Sequence, residues 1–230
     1  MRLYRIHLNP RSREARRDLA DPYQMHATLC RAFFPRNTPC PAGALLWRLE
    51  PETDQEGRPR VLIQSHKEPD WSRIPVHNWL ACADPGINLA QRLALDTLES
   101  GRMFRFRLRA NPCKTVNGKR QGLFQPDAQR GWLARKGTQH GFTLPGIDAA
   151  NDFVFDQCSA GEAFLTVRIS QEQMLRGRQH NGNAIHVYSV LFEGFMTVTN
   201  PEHFRAALEN GIGHGKVMGL GLLSIAPLKL

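Results

Sequence analysis

Apolar and polar residues alternate at two places in the first half of the chain. In residues 102–109 three apolar residues alternate with three arginines, and residues 2–8 alternate in the same way, less regularly. A period of two is typical of a strand that buries one face and exposes the other. Further apolar runs predict strands at 44–49 and 60–66.

Helical spacing appears between these strands. Asp21 is a suitable N-cap, Pro22 suits a first helical turn, and Pro35 ends the apolar stripe, which predicts a helix at 22–34. A second helix is predicted at 86–100 and ends before Gly101. The order is then β-α-β-β-α-β, which is the ferredoxin-like order.

The second half roughly repeats this order, although its first strand is difficult to place. The predicted elements are a helix at 126–136, apolar alternating segments at 142–157, 163–170 and 184–199, an exposed hairpin tip at 171–183, a helix from Asn200-Pro201 to about 210, and a strand at 220–227. We therefore expect an α+β chain of two tandem ferredoxin-like (RRM-like) β-α-β-β-α-β domains with antiparallel sheets. The expected boundaries are 1–112 for the first domain, 113–125 for a linker and 126–230 for a second domain that carries a glycine-rich loop.

Composition is compatible with this fold and excludes some classes. Of the 230 residues 41% are hydrophobic and 22% are charged, too apolar for a disordered chain. The longest apolar stretch, 217–228, is too short for a membrane span, and the N-terminus lacks a signal-peptide core, so we expect a cytoplasmic protein without a membrane partner. Five widely spaced cysteines without a CxxC pair indicate neither a disulfide framework nor a zinc knuckle.

Positive charge is the feature of the composition that bears on function. The formal net charge is +9, with 24 arginines and 6 lysines. Such a field attracts polyanions, with nucleic acid as the first candidate and an anionic membrane surface as the alternative. Arginine codons are also favoured by GC-rich genomes, so composition alone does not decide between binding and codon usage.

The basic residues are concentrated in residues 101–120, which contain no acid. Repulsion among arginines on one strand face is costly unless an anion lies nearby, so we expect a phosphate-binding surface instead of a merely solvated sheet face. The candidate phosphate-binding residues of this block are Arg105, Arg107, Arg109, Lys114, Lys119 and Arg120.

Glycines recur in GIGHGKVMGLG, residues 211–221. Val217 after Lys216 excludes a Walker loop, and the position between a helix and a strand excludes a dinucleotide fingerprint. Glycines allow backbone N–H groups to approach phosphate oxygens closely. We expect Gly213, Gly215 and Lys216 to contact an RNA backbone; the alternative is a flexible turn.

Tyr23 and His26 are three residues apart on the predicted helix at 22–34, so they share one face. An imidazole can exchange protons near neutral pH, and a tyrosine hydroxyl can donate to a phosphate. Taken alone, the pair is more simply explained as a feature of the helix surface. The sequence contains no HExxH motif and no carboxylate cluster, so no metal ligand set is predicted.

Four segments in this order resemble one family: PYQMHATL at 22–29, FRFRLRANPCKT at 104–115, VLFEG at 190–194 and GIGHGKVMGLGLLSIAP at 211–227. Together they resemble the CasE family, the CRISPR repeat-processing endoribonucleases of type I-E systems. The resemblance implies a metal-independent enzyme without a cofactor that cuts each repeat at the base of its hairpin. The 2′-hydroxyl of the substrate would attack the adjacent phosphate, leaving a 2′,3′-cyclic phosphate.

The resemblance also implies roles for individual residues. His26 would transfer a proton, most plausibly to the 5′-oxygen that leaves, Tyr23 would orient the reacting groups, and Arg31 would neutralise charge on the phosphate. Basic residues at the predicted hairpin, Arg168, Arg176 and Arg178, would contact the repeat stem-loop. The family also implies tight retention of the product, with single turnover, and assembly with the other subunits of the Cascade complex.

One other function remains open on the sequence, and a further class lacks the residues it would need. A non-catalytic tandem RRM-like protein would hold the repeat RNA without cutting it, and would not need Tyr23 and His26 beside the scissile phosphate. A metal-dependent nuclease would require a carboxylate cluster, which the sequence does not provide.

Overall fold

The structure is a computed structural model that describes residues 1–36, 38–74, 76–145, 167–179 and 182–228. The helices are α1 (Arg13–Ala20), α2 (Pro22–Phe33), α3 (Leu89–Leu93), α4 (Pro126–Gln139) and α5 (Pro201–Asn210). The strands are β1 (Arg2–Leu8), β2 (Leu45–Thr53), β3 (Pro59–Ser65), β4 (Leu80–Ala83), β5 (Ile87–Asn88), β6 (Met103–Ala110), β7 (Cys113–Val116), β8 (Lys119–Gly122), β9 (Phe142–Thr143), β10 (Arg168–Arg178), β11 (Ala184–Val198) and β12 (Leu223–Pro227).

The first sheet has the order β2-β3-β1-β4, with β5 paired to the start of β1, and all its pairs are antiparallel. Tyr4, Ile6 and Leu8 on β1 are buried against α2, which contributes Met25 and Leu29 to the same core. The alternation of residues 2–8 therefore predicted the buried face of this strand correctly.

The second sheet has the order β10-β11-β6-β12, also antiparallel, with β9 paired to the end of β11. Phe104, Phe106 and Leu108 of β6 are buried in a core that includes Trp132 from α4 and Phe204 from α5. Each sheet thus carries helices on one face, and the predicted α+β class with antiparallel sheets is confirmed.

The four main strands of each sheet have the same spatial order. If the main strands of one sheet and its helices are called a unit and numbered along the chain, that order is second, third, first and fourth. In the second unit these strands are β10, β11, β6 and β12, so the unit begins at β6. The prediction that strand 102–109 closes the first sheet was wrong, because β4 pairs with β1 at that position. Periodicity shows which face of a strand is buried, but it does not show which sheet the strand joins.

The same observation bears on the expected domain boundaries, 1–112 and 126–230, which stay a prediction. Residues 103–110 pair only with strands of the second sheet in the described part of the chain. A boundary drawn by sheet membership would therefore fall near Gly101 instead of after residue 112.

Residues 86–100 do not form the long helix predicted for them. They form β5, the five-residue α3 and a 3-10 turn at Leu95–Thr97. Ala94, which separates α3 from the turn, has a left-handed φ of +49°, and that conformation ends an α-helix. The helix α1, capped by the Ser12 side chain, was not predicted.

Residues 113–125, expected to be a linker, contain the antiparallel hairpin β7–β8. Its turn residues, Asn117 and Gly118, have φ values of +50° and +74°. Two left-handed residues of type Asn-Gly are the signal of a tight two-residue hairpin, so the sequence did carry the evidence.

Other predicted elements are confirmed within ordinary boundary differences: α2, β2, β3, α4, α5 and β12. The hairpin predicted at 171–183 is formed by β10 and β11, with a shorter turn at 179–183. The predicted segments at 142–157 and 163–170 lie largely outside the described residues. No helix within the described ranges has both the length and the apolar character needed to cross a bilayer.

Arg48 of β2 joins the two sheets. Its guanidinium is buried, donates to the carbonyl oxygens of Arg107 and Leu222, and pairs with Glu50 at 2.6 Å. Burial lowers the pKa of Arg48, and the nearby Glu50 carboxylate opposes that change. The first and second sheets are thus held together by a fully satisfied buried cation.

Candidate active site and nucleic-acid interface

The start of α2 is fixed from two directions. Asp21 Oδ1 accepts hydrogen bonds from the backbone N–H groups of Tyr23 and Gln24, at 2.9 and 3.3 Å, as an N-cap does. Its other oxygen, Oδ2, accepts the N–H of Arg178 at 3.2 Å. The N-cap therefore links α2, the helix that carries the candidate catalytic residues, to the end of β10.

The close approach of β10 to α2 depends on Gly177. A Cβ atom at Gly177 would lie 3.0 Å from Asp21 Oδ1 and 3.1 Å from both Tyr23 Cβ and the Met218 methyl carbon. Tyr23, the end of β10 and the glycine-rich segment 211–221 thus meet at one place. An open cleft there, lined among others by Pro22, Arg176 and Gly219, has a volume of about 460 Å³.

His26 lies one turn further along α2 and is largely withdrawn from solvent. Burial lowers its pKa from 6.5 to about 4, so the imidazole is neutral at pH 7. Within the described residues, Nδ1 has no hydrogen-bond partner. Nε2 lies 3.5 Å from the sulfur of Cys30, the residue four positions later.

Arg31 is exposed and lines a second cleft, of about 650 Å³, with Cys30, Phe34 and two further arginines, Arg36 and Arg73. The cleft is therefore cationic. Arg36 and Arg73 were not singled out by the sequence, because nothing in their local pattern brings residues 36 and 73 together.

The three arginines of β6 have different environments, although they share one strand face. Arg105 is exposed, and its side chain makes no hydrogen bond or ion pair with the described part of the chain. Arg107 pairs with Glu50, Glu52 and Glu193, at 2.6, 3.1 and 2.6 Å, and these carboxylates raise its pKa.

Arg109 is buried and donates to the backbone and side-chain oxygens of Gln171. The premise that these arginines lack a protein anion was therefore wrong for Arg107. These carboxylates lie on β2 and β11, so the sequence of β6 alone does not predict them.

All five glycines of the glycine-rich segment have positive φ, so the backbone of this segment turns repeatedly. Gly213 and Gly215 have φ values of +82° and +84°, which side chains rarely adopt. No backbone hydrogen bond of the described residues uses the N–H groups of 213–216, whereas those of Met218, Gly219 and Gly221 are all engaged. Free N–H groups in a tight turn can receive phosphate oxygens.

Positive charge gathers beside this segment. His214 has its pKa lowered by burial and then by the nearby charges of Arg120, Lys136 and Lys216. These residues come from β8, α4 and the glycine-rich segment, so the β7–β8 hairpin with its exposed Lys114, Lys119 and Arg120 adjoins the glycines. Lys136 is an addition that sequence reasoning missed, because only the fold brings α4 to this surface.

Comparison with known proteins settles the family. The model of a family described as "CRISPR associated protein" matches residues 1–227. The chain belongs to this family.

Relatives within the CRISPR-associated family span the whole chain. The chain is 39% identical to "CRISPR-associated endoribonuclease Cse3" of Thermus thermophilus, over 99% of this chain and 100% of that one. It is 30% identical to "CRISPR system Cascade subunit CasE" of Escherichia coli, over 90% and 93%. A structure of Thermus thermophilus Cse3 bound to an RNA representing a pre-cleavage complex matches with a TM-score of 0.76 and 38% identity, over 98% of both chains. The expected resemblance to CasE and the tandem ferredoxin-like fold are both confirmed.

Within the family fold, the predicted site residues other than Arg107 and Arg109 lie in three places: at α2 with the end of β10, at the β7–β8 hairpin with the glycine-rich segment, and on the second sheet. Tyr23 and His26 lie on α2, while Arg31 faces the neighbouring cleft. Arg176 and Arg178 are exposed at the end of β10 beside α2, and Lys114, Lys119, Arg120, Gly213, Gly215 and Lys216 form a second surface. Arg105 and Arg168 are exposed near a shallow depression on the second sheet, away from α2 along the strands.

Proposed function

We propose that this protein is the endoribonuclease that binds the stem-loop of CRISPR repeat RNA and cuts precursor CRISPR RNA at the base of the hairpin. The observation that carries the proposal is the position of Tyr23 and His26 on α2, directly beside the basic end of β10. Support comes from the 39% identical relative, which is named an endoribonuclease over its full length. Because the proposed substrate is RNA, we place the protein in the cytoplasm.

The proposed reaction needs no metal and no cofactor. The 2′-oxygen upstream of the cut attacks phosphorus, a P–O2′ bond forms, and the P–O5′ bond breaks. The 2′-hydroxyl gives up its proton to a base, and the departing 5′-oxygen receives a proton from an acid. The products are a 2′,3′-cyclic phosphate and a 5′-hydroxyl.

His26 is the group we assign to proton transfer. In the free protein its imidazole is neutral, because burial holds the pKa near 4, so it begins as a proton acceptor. A scissile phosphate placed beside it is an anion, and an anion raises the pKa of an imidazole. RNA binding would therefore bring His26 toward the protonated form that donates to the leaving 5′-oxygen.

Tyr23 and Arg31 are proposed to act on the phosphate itself. The Tyr23 hydroxyl orients the reacting groups, and the Arg31 guanidinium neutralises charge that develops on the phosphate oxygens. Arg31 is exposed in an arginine-lined cleft, which suits a role in holding RNA as well as one in chemistry.

RNA binding is assigned to two sets of basic residues. Arg168, Arg176 and Arg178 on β10, with Arg105 on β6, would hold the stem, which A-form geometry presents through its phosphates and 2′-hydroxyls. Lys114, Lys119, Arg120, Gly213, Gly215 and Lys216 would hold a second stretch of backbone. The relative named a Cascade subunit supports assembly of this protein, with its retained product, into a Cascade complex.

The first test is a single-turnover assay of His26→Ala with repeat RNA in EDTA. We expect cleavage to fall by about 10² to 10⁴-fold, the usual contribution of a positioned acid or base, while hairpin affinity stays near wild type. Cleavage at the wild-type rate would remove His26 from the mechanism. A wild-type protein that binds the hairpin tightly but never cuts it would favour the non-catalytic RNA-binding alternative.

A second test addresses the nucleophile. Replacing the 2′-hydroxyl just upstream of the cut by hydrogen should block cleavage without weakening binding. The matched control is a 2′-deoxy substitution one nucleotide away, which should be cut normally. Cleavage of the first RNA would mean that water, and not the 2′-hydroxyl, is the nucleophile.

A further inference from the structure

Two cysteine thiols lie beside the proposed catalytic imidazole and form with it a cluster of three possible metal ligands. His26 and Cys30 are four residues apart on α2 and therefore share one face. Cys40 comes from the segment that follows the helix and folds back over it. The ligand atoms of His26, Cys30 and Cys40 all lie within 4.8 Å of one another.

The spacing of these atoms is compatible with one tetrahedral ion. Zinc bonds of about 2.3 Å to sulfur and about 2.0–2.1 Å to nitrogen, at a tetrahedral angle, place the two ligand atoms about 3.6 Å apart. The observed distance from His26 Nε2 to Cys30 Sγ is 3.5 Å. An ion could therefore bind between these two atoms without movement of α2, and Cys40 would need only a small adjustment.

A second observation points to an open coordination site. Cys30 lies at the wall of the arginine-lined cleft, so a fourth position on the ion would face solvent there. His26 Nδ1 has no hydrogen-bond partner in the described residues, so the ring would bind an ion without the supporting hydrogen bond that ligating histidines usually have.

The charge of an occupied site is balanced. Two thiolates and one divalent cation sum to zero, so the occupied site would add no net positive charge beside the arginines of the neighbouring cleft. Imidazole and thiolate ligands favour zinc and related soft ions over Mg²⁺ and Ca²⁺. Binding would release the thiol protons to solvent.

We propose that His26, Cys30 and Cys40 form an inhibitory site for a soft divalent cation of the zinc class. An ion bound to Nε2 occupies the lone pair that the imidazole needs for proton transfer. The site by itself is independent of the RNA chemistry, whereas the inhibition rests on the proposed function. Cleavage would then require no metal ion but would be inhibited by ions of this class.

The binding test uses Cd²⁺ and Co²⁺ with the free protein, without RNA. Thiolate-to-Cd²⁺ charge-transfer absorbance and the visible bands of tetrahedral Co²⁺ report sulfur ligation. Cys40→Ser should weaken binding at least about tenfold, since even the groups that merely support metal ligands contribute about that much. Cys82→Ser, which removes an exposed cysteine on β4, is the matched control and should bind as wild type does.

Two results would overturn the site. One is the absence of both spectra at a tenfold excess of metal over protein (roughly the excess that saturates any micromolar site). The other is an identical titration of Cys40→Ser, Cys82→Ser and wild type. Zn²⁺ should also raise the melting temperature of wild type and of Cys82→Ser, but not that of Cys40→Ser, which separates a lost ligand from a failure to fold.

The inhibition test is single-turnover cleavage of repeat RNA with Zn²⁺, with Mg²⁺ and with EDTA. Zn²⁺ should slow wild type and Cys82→Ser, and EDTA should restore their rate, while Cys40→Ser should cleave at its own EDTA rate under all three conditions. Equal slowing of Cys40→Ser would show that Zn²⁺ acts elsewhere, for example on the RNA. Absence of cleavage in EDTA would contradict the proposed function but leave the spectroscopic result intact.

Discussion

At His26, burial and proton transfer make opposite demands on one imidazole. Burial within the α2 surroundings lowers its pKa to about 4 and favours the neutral ring. Donation to a leaving oxygen requires the protonated ring. The phosphate of the substrate reconciles the two, because it supplies negative charge only when RNA is bound.

The lowered pKa predicts how His26 affects stability in EDTA. Between pH 6.5 and about 4 the unfolded chain binds a proton at this residue and the folded chain does not, so acid favours unfolding. The folded protein should lose on the order of 3 kcal/mol from this residue across that window, and nothing above it. Urea unfolding at pH 7.5 and pH 4.5 should show a smaller acid loss for His26→Ala than for wild type. Identical losses would show that the ring is not held neutral in the fold.

Gly213 and Gly215 allow a test of backbone contact with RNA. Alanine at either position should cost roughly 1–2 kcal/mol of stability because of the positive φ. Gly57→Ala is the control, since Gly57 also has a positive φ, of +73°, and a Cβ there meets nothing within 4 Å. We expect repeat-RNA affinity to fall for Gly213→Ala and Gly215→Ala and to stay unchanged for Gly57→Ala. Affinity preserved in the folded fraction of all three would leave the glycines with a packing role only.

At the scale of the element, strand β6 shows that a face of arginines need not be a binding face. The strand alternates as a half-buried strand should, with Phe104 and Phe106 in the core. Its opposite face meets Glu50 and Glu52 of β2 around Arg107, so part of the basic stripe is used to join two sheets.

The two roles can be separated by single substitutions on this strand. Arg105→Ala should reduce the slope of log affinity against log salt by about 0.7 to 0.9, the amount for one lost phosphate contact, with little change in stability. Arg107→Ala should leave the salt slope unchanged and lower the free energy of unfolding, because each of three carboxylates loses one of its cationic partners. RNA titrations across a salt series and urea unfolding measure both. An unchanged slope for Arg105→Ala would show that this end of β6 does not touch RNA.

At the scale of the whole molecule, the relative position of the two sheets depends on a buried charge. Arg48 reaches from β2 to the backbone of β6 and to Leu222, and also donates to Ser224 Oγ at 2.9 Å. The hairpin end of β10 and the glycine-rich segment both reach α2 across this junction, so the proposed active site is built from both units.

Removal of this contact should therefore destabilise the molecule as a unit. Arg48→Met should cost about 3–5 kcal/mol, because the carbonyl oxygens of Arg107 and Leu222 would lose their donor and Glu50 would keep only Arg107 as a partner. Arg60→Met on β3, whose side chain is partly exposed, is the control and should cost less than about 1 kcal/mol. Urea unfolding of the three proteins gives the comparison. Equal stability of Arg48→Met and wild type would mean that packing alone holds the two sheets together.

The sequence by itself determined the local features of this protein. Alternation identified the buried faces of β1 and β6, and the Asp21-Pro22 and Asn200-Pro201 pairs identified the starts of two helices, because caps and periodicity depend only on neighbouring residues. The resemblance in four short segments was enough to predict the family. Asn117-Gly118 carried a hairpin signal of the same local kind.

Only the tertiary structure decided which sheet β6 joins, which arginines already have anions, and how deeply His26 is buried. Each of these depends on residues that are far apart in the chain, such as Arg107 with Glu50 or Cys40 with His26. A periodic pattern specifies that a face is buried or charged, but the partner that covers it is chosen by the packing of whole sheets. For that reason a basic stripe on β6 became in part an internal ion-pair network, and a histidine on a helix surface became a half-buried, neutral one.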